Sequence, residues 1–262
     1  TGAGAFVCGE SSALMSSLEG KVGRPRAKYI RSVEKGFRDS PSNLNNVETF
    51  ANIPEIVVKG GDWYRSIGTE RSTGTKVFAM TGNVYNVGLV EVPMGMSLRE
   101  IVYGIGGGIP NKKELKAVQT GGPSGGCVPI PKKFLDIQMG FGKLAEIGSM
   151  MGSGGMIVMD EDTCMVDVSR YFINFLVEES CGQCTPCREG LGWMLKIVKK
   201  ILRREGTMED VFLLRELCDN IEMKTVCVLS AACTMPVRSY LDKFRHEFEA
   251  YVAEAATAPA CQ

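Results

Sequence analysis

Residues 179–190 read Glu-Ser-Cys-Gly-Gln-Cys-Thr-Pro-Cys-Arg-Glu-Gly, and this stretch decides how the rest of the chain is interpreted. Its three cysteines, Cys181, Cys184 and Cys187, are spaced three residues apart. That spacing directs three thiolates from one tight loop toward one small object. A cubane iron–sulfur cluster needs four thiolates, usually three close together and one remote. The stretch therefore predicts a loop around a cluster, and Pro186 predicts that the next helix begins at about Arg188.

The fourth thiolate has three candidates, Cys218, Cys227 and Cys233, and the residues alone leave the choice open. Zinc is the competing ligand. Structural zinc sites prefer two Cys-x-x-Cys pairs or mixtures of cysteine and histidine, whereas this chain has a single histidine, His246, and no separate second pair. Buried free cysteines that bind nothing are the third interpretation, which the regular spacing and the interposed proline disfavour.

Composition limits the classes of protein to which the chain can belong. Its 262 residues allow one large domain or two to three small ones, and 44% hydrophobic and 23% charged residues are typical of a soluble globular protein. A formal net charge of zero gives no reason to expect a nucleic-acid partner. Without a signal peptide or an apolar run that could cross a bilayer, we expect a reducing, cytosolic setting. Because the chain opens on Thr1, we also expect that an N-terminal part is missing.

The N-terminal region has the pattern of a nucleotide or flavin site. A short apolar run at 5–8 predicts a strand, and the glycine turn after it leads into a predicted helix. A backbone approaches a phosphate in this way, although glycines in such turns also serve packing alone. Asn45 and Asn46 precede a helix predicted from about Val47, and their amides suit either a phosphate or a helix cap.

The rest of the chain divides into a mixed and a helical part. Strands predicted at 75–81, 88–92 and 117–120, with a helix from Ser97, suggest a small α+β module of the β-grasp kind. The glycine run at 121–126 favours a tight turn over a phosphate cradle. Apolar periodicity then predicts a four-helix bundle holding the cluster at one edge, with helices at 166–177, from Arg188 to a stop at Gly206, at 212–220 and at 236–253.

Three motifs together resemble one family. They are the segments 2–10 (Gly-Ala-Gly-Ala-Phe-Val-Cys-Gly-Glu), 45–49 (Asn-Asn-Val-Glu-Thr) and 179–190. The chain is similar over residues 1–255 to the flavin- and NADH-binding subunit of complex I and its relatives in NAD-linked, often electron-bifurcating hydrogenases and formate dehydrogenases. The resemblance implies an α/β plus α fold in three regions: the end of a flavin-binding domain (1–70), a β-grasp, soluble-ligand-binding module (71–150), and a helical bundle with a [4Fe-4S] cluster (151–262). In the family, a glycine-rich flavin loop and an aromatic adenine platform precede the position of Thr1.

The resemblance also implies the site residues. The remote cysteine of the family follows a Thr-hydrophobic pair and precedes a small turn and a proline, which fits Thr225-Val226-Cys227 and then Pro236; Cys218 and Cys233 do not fit. Glu10 is expected to tune the flavin electrostatically, as the catalytic-site carboxylate. The residues expected around FMN and the dinucleotide are Gly2, Gly4, Phe6, Gly9, Glu10, Ser11, Lys28, Asn45 and Asn46.

The implied function is electron transfer between NAD(P)H and a multisubunit redox complex. A nicotinamide gives hydride to FMN, and single electrons pass to a cluster on Cys181, Cys184, Cys187 and Cys227. Expected partners are a [2Fe-2S] subunit and a further iron–sulfur subunit, with no nucleic acid and no membrane insertion, in the cytoplasm or on the cytoplasmic face of a membrane complex. The alternatives are a bifurcating subunit that also serves ferredoxin and a non-catalytic interaction module stapled by a metal.

Two departures from the family pattern bear on the nucleotide. The family usually has a second glutamate after Glu10, where this chain has Ser11, and often an aromatic residue where this chain has Arg31. A carboxylate near the adenosine ribose repels a 2′-phosphate, and a guanidinium attracts one. We therefore hypothesise relaxed selectivity between NAD and NADP.

Overall fold

The computed structural model describes residues 4–130 and 134–257, and the side chains of these residues up to 253. The chain forms two compact units. The first unit comprises Thr1–Phe50, Val166–Thr234 and His246–Gln262, and the second comprises Ala51–Met165 and Met235–Arg245. These units do not coincide with the regions 1–70, 71–150 and 151–262, which stay a prediction.

The second unit is built on a mixed five-stranded sheet of order β2-β1-β5-β3-β4. Strand β5 pairs in parallel with β1 and antiparallel with β3, and the outer pairs β1/β2 and β3/β4 are antiparallel. The strands are β1 (Thr75–Gly82), β2 (Gly88–Pro93), β3 (Leu115–Thr120), β4 (Cys127–Pro129) and β5 (Gly155–Asp160). The three predicted strands are present, whereas the central strand β5 was not predicted. Its apolar run is buried on both faces and lacks the alternation that marks a half-exposed strand.

Close backbone packing explains the glycine run between β3 and β4. A Cβ atom at Gly125 would lie 1.7 Å from the carbonyl oxygen of Thr120, and one at Gly126 would lie 2.0 Å from that of Gly148. A 3₁₀ turn over Gly122–Ser124 links the two strands. These glycines therefore allow the close backbone packing of a tight turn, as the sequence favours. Phosphate binding is not required to explain them.

Short helical segments complete the second unit. The predicted helix at Ser97 has the expected capping box, in which the Ser97 hydroxyl accepts from Glu100 N–H (3.2 Å) and the Glu100 carboxylate accepts from Ser97 N–H (2.9 Å). It continues as a π-helix over Glu100–Ile105. The other short helices of this unit are α3 (Gly61–Arg65) and α4 (Phe141–Glu146).

Helices dominate the first unit. They are α1 (Ser11–Leu18), the start of α2 (Val47–Lys59), α5 (Met165–Glu179), α6 (Thr185–Leu202), α7 (Met208–Ile221), the start of α8 (Leu229–Lys243) and α9 (Arg245–Thr257). Buried aliphatic side chains on α6 and α7 face each other, and a Cβ at Gly190 on α6 would meet Ile221 on α7 at 2.6 Å. The helix predicted from Val47 begins there.

Three of the secondary-structure predictions are wrong. The run at 5–8 is not a strand: a 3₁₀ turn covers Phe6–Gly9. Helix α6 begins at Thr185 rather than Arg188, because Pro186 occupies the first turn, where its missing N–H leaves no intrahelical bond unmade. The helix predicted at 236–253 is two helices, α8 and α9, with Pro236 inside α8.

The coarse fold class is therefore confirmed as mixed α/β with a separate helical part. Across the described residues, every helix is too short or too polar to span a lipid bilayer.

Candidate redox site in the first unit

The cysteine loop lies between α5 and α6 and is held by its own polar groups. Gly182 adopts a left-handed conformation (φ +71°), and its carbonyl accepts a hydrogen bond from the Arg188 guanidinium at 2.8 Å. The Ser180 hydroxyl accepts from Gly182 N–H and lies 3.3 Å from Cys187 Sγ. These contacts hold the backbone of the loop that carries Cys181, Cys184 and Cys187.

The start of α6 favours negative charge on two of the thiols. Cys184 is the N-cap of this 18-residue helix, and Cys187 lies in its first turn. The unpaired N–H groups of a helix N-terminus and its dipole stabilise anions, so a thiolate or an anionic cluster is favoured there. A hydrogen bond from Cys233, with a smaller one from Ser180, lowers the pKa of Cys187 to about 6 against the opposing effect of burial.

The remote cysteine lies beside this loop. The N–H of Val226 donates to Cys184 Sγ at 3.5 Å, which places the segment before Cys227 against the loop. Burial raises the pKa of the Cys227 thiol, and the neighbouring charges of Cys181 and Cys187 raise it further. The structure thus brings all four predicted ligands into one neighbourhood. That the four bind one cluster stays a prediction.

Four thiols, Cys181, Cys184, Cys187 and Cys227, are the donor set that a cubane cluster uses. Among the residues that the structure describes, no three His, Cys, Asp or Glu side chains converge on one metal position. Tetrahedral zinc with Zn–S bonds of about 2.3 Å needs sulfurs about 3.8 Å apart. In a cubane each thiolate binds a different iron atom, so the sulfurs stand farther apart.

Glu10 caps helix α1 and is the most constrained of the predicted flavin residues. Its carboxylate accepts from the N–H groups of Ser12 and Ala13, both at 2.9 Å, and pairs with Lys28 Nζ at 3.0 Å. Burial opposes ionisation, but these hydrogen bonds and the lysine outweigh it and lower the pKa of Glu10. Glu10 therefore carries a negative charge near neutral pH, and this charge is close enough to raise the pKa of Cys227.

Phe6 connects the N-terminal turn to the helix that enters the cysteine loop. Its N–H donates to Glu179 Oε2 at 2.7 Å, and its ring contacts Phe175 edge-on at 5.4 Å between centroids. Glu179 is the last residue of α5 and directly precedes Ser180. Two segments far apart in the sequence therefore meet next to the cysteines.

The other predicted flavin residues have local roles in the structure. The side-chain oxygen of Asn46 accepts from Glu48 N–H (2.9 Å) and caps α2, and the Asn45 amide donates to Asn43 (2.8 Å). The Ser11 hydroxyl donates to Glu10 at 3.2 Å. Gly4 and Gly9 border open space, and Gly2 lies outside the described residues.

Two further residues adjoin the site: Cys233, which the sequence offered as a candidate ligand and the family resemblance set aside, and Ser12, which sequence reasoning missed. Cys233 is fully buried on α8 and donates to Cys187, although its spacing gave no sign of this. Ser12 is central to the turn, since its hydroxyl donates to Glu10 and accepts from Arg26 N–H at 2.8 Å. A serine two residues after a capping carboxylate is a local signal that could have indicated Ser12.

Comparison with known proteins identifies relatives of the whole chain. Residues 167–251 match the family described as the NADH-ubiquinone oxidoreductase-F iron-sulfur binding region. The chain is 50% identical over 251 residues to the HndC subunit of the NADP-reducing hydrogenase of Solidesulfovibrio fructosivorans, an alignment covering 96% of this chain and 51% of that protein. It is 44% identical over 253 residues to the F 2 subunit of the NADH-quinone oxidoreductase of Rhizobium meliloti (strain 1021), covering 97% and 60%.

The fold also matches a solved structure. A chain of an NAD+-reducing [NiFe]-hydrogenase in the H2-reduced state superimposes with a TM-score of 0.88 at 35% identity, covering 96% of this chain and 42% of that chain. The present chain spans between half and three fifths of the two curated relatives. The resemblance noted from the sequence is thus confirmed: the chain is similar to the F subunits of NADH-quinone oxidoreductases and to subunits of NAD(P)-linked hydrogenases, and its residues 167–251 match the iron–sulfur binding region described for the F subunit.

Proposed function

We propose that this chain is the electron-transfer part of an NAD(P)H dehydrogenase subunit that binds FMN, a nicotinamide dinucleotide and one [4Fe-4S] cluster. One observation carries the proposal: the N-terminal turn that holds the predicted flavin residues contacts the helix entering the cysteine loop, where Phe6 N–H donates to Glu179 Oε2 at 2.7 Å. Electron transfer between two cofactors needs their sites to be neighbours. The names of the relatives, which specify NADH, NADP and quinone, agree with this activity.

Cys181, Cys184, Cys187 and Cys227 would hold the cluster. The four thiols belong to one unit, and the region match supports an iron–sulfur centre there. The positive end of the α6 dipole and the Val226 N–H stabilise negative charge on the sulfurs. Hydrogen bonds to sulfur and burial set the reduction potential of a cluster. His246 has no place in this ligand set.

Glu10, Lys28, Asn45 and Asn46, with the glycine turn, would bind FMN and the dinucleotide. The chemistry supplied there would be hydride acceptance by FMN and one-electron transfer by the cluster. The protein supplies position and charge. The ionised Glu10 is fixed by two backbone N–H groups and Lys28, so its charge stays in one place next to the site.

The finer fold assignments belong to the same proposal. The sheet of the second unit supports a β-grasp, soluble-ligand-binding module, and the helices α5 to α8 support a four-helix bundle around the cysteine loop. We propose that the chain works in a multisubunit complex, with a [2Fe-2S] subunit and a further iron–sulfur subunit as partners. This complex lies in the cytoplasm or on the cytoplasmic face of a membrane. The complexes named for its relatives support this assignment.

Oxidation of NADH and NADPH by the full polypeptide tests this function. With FMN supplied and ferricyanide as acceptor, we expect both nucleotides to be oxidised, with values of kcat/KM within about tenfold of each other, because Ser11 brings no carboxylate to repel a 2′-phosphate. Ser11→Glu should lower the NADPH/NADH ratio at least about fivefold by like-charge repulsion. Failure of the wild-type protein to oxidise either nucleotide would contradict the proposed function. A strong NADH preference in the wild type would contradict the relaxed selectivity alone.

A further inference from the structure

A cavity of about 440 Å³ opens in the first unit between the start of α1 and the segment 26–35. Its charged and polar lining includes Ser11, Arg26, Lys28, Arg31, Lys35 and Asp39. Basic side chains outnumber acidic ones along this wall. The cavity is therefore suited to an anion.

The ion pairs around the cavity leave positive charge in excess. Lys28 pairs with Glu10 at 3.0 Å, and Lys35 pairs with Asp39 at 3.4 Å, so these two lysines are largely neutralised. Arg26 and Arg31 remain, and together they balance the charge of a phosphomonoester, which approaches about −2 at neutral pH.

Arg31 is the better placed of the two arginines. Arg26 interacts electrostatically with Glu19. Arg31 makes no side-chain hydrogen bond or ion pair with any residue that the structure describes. A guanidinium without a protein partner, at the edge of a cavity, offers a planar pair of donors that matches two phosphate oxygens.

The helix N-terminus does not supply this anion site. The Glu10 carboxylate already accepts from Ser12 and Ala13 N–H, so these two donors of α1 are occupied. A second carboxylate next to Glu10 would oppose an anion here, but the residue at that position is Ser11. The attraction for a phosphate therefore comes from the side chains of the segment 26–35.

We propose that Arg31 binds the 2′-phosphate of NADP(H) and thereby determines nucleotide selectivity. This inference rests on the proposed function, because it takes the dinucleotide to occupy the surface around Glu10 and Lys28. NADPH differs from NADH by one phosphomonoester on the adenosine ribose. A cavity lined by more basic than acidic side chains next to that surface, with Arg31 at its edge, distinguishes the two by this group.

Binding of nucleotide fragments to the full polypeptide tests the role of Arg31 without any need for turnover. Adenosine 2′,5′-bisphosphate and adenosine 5′-diphosphate are titrated by calorimetry into wild type, Arg31→Ala and Arg24→Ala. Arg24 is an exposed arginine outside the cavity lining, so Arg24→Ala is the control that removes the same charge elsewhere. We expect Arg31→Ala to weaken the 2′,5′-bisphosphate roughly tenfold and the diphosphate less than about twofold, and Arg24→Ala to change neither by more than about twofold.

Turnover gives the second measurement. In Arg31→Ala the KM for NADPH should rise roughly tenfold, with the kinetics of NADH unchanged. Equal weakening of both fragments would overturn the proposal, since Arg31 would then bind the phosphates that both nucleotides share. Unchanged affinity for the bisphosphate would overturn it as well. If the wild type binds the fragments as expected but oxidises neither nucleotide, the proposed function fails and the phosphate site stands.

Discussion

Cys227→Ala is expected to reduce the iron content from about four to three or fewer atoms per chain, because one corner of the cubane loses its thiolate. The electron paramagnetic resonance signal that NADH produces by reducing the native cluster should also disappear. The structure places Cys227 beside the cysteine loop, where the Val226 N–H contacts Cys184 Sγ. Iron and acid-labile sulfide analysis of the anaerobically purified variant is the measurement.

Cys233→Ala is the matched control, because Cys233 is also a cysteine next to the loop. It is fully buried and donates to Cys187 Sγ, which makes it a neighbour of the ligand set rather than a member. We expect this variant to keep about four iron atoms and to show a more negative cluster potential, since one hydrogen bond to a ligand sulfur is lost. Loss of iron in Cys233→Ala with full iron in Cys227→Ala would show that the fourth ligand is Cys233.

Gly125→Ala is expected to destabilise the second unit by about 3 kcal/mol or more. The new Cβ would lie 1.7 Å from the carbonyl oxygen and 2.7 Å from the carbonyl carbon of Thr120. Both are backbone atoms of the turn after β3, so no side chain can move aside to relieve the clash. Thermal unfolding should show a midpoint lower by roughly 6–12 °C, or the protein should fail to accumulate.

Gly142→Ala is the control for the glycine prediction. Gly142 lies in α4, and a Cβ there meets no atom within 4 Å. Alanine is favoured over glycine in a helix, so the unfolding midpoint should be unchanged or slightly higher. Equal stability of Gly125→Ala and Gly142→Ala would contradict the packing of this turn.

The part of the site that could be predicted from the sequence depends on short, rigid spacing. Cys181, Cys184 and Cys187 are close in the chain, so they are close in any fold of that loop. The capping box at Ser97 and Glu100 was predictable for the same reason. The resemblance to a known family then indicated Cys227, which spacing alone did not separate from Cys218 and Cys233.

The parts that could not be predicted depend on tertiary packing. Strand β5 is buried on both faces, so it has no alternating pattern, and its place between β1 and β3 follows from pairings distant in sequence. The proximity of Cys233 to Cys187 depends on how α8 packs in the first unit. The starts of two helices were predicted wrongly at Pro186 and Pro236. Proline is tolerated in the first turn of a helix, as in α6, and tertiary packing can stabilise a helix that contains a proline, as in α8.

The metal content of the wild-type protein tests most directly whether the four cysteines hold an iron–sulfur cluster. The full polypeptide, purified under anaerobic conditions, is analysed for iron, acid-labile sulfide and zinc per chain. We expect about four iron and about four sulfide, with zinc absent in stoichiometric amount. About one zinc per chain, with neither iron nor sulfide, would contradict the cluster and the electron transfer that depends on it.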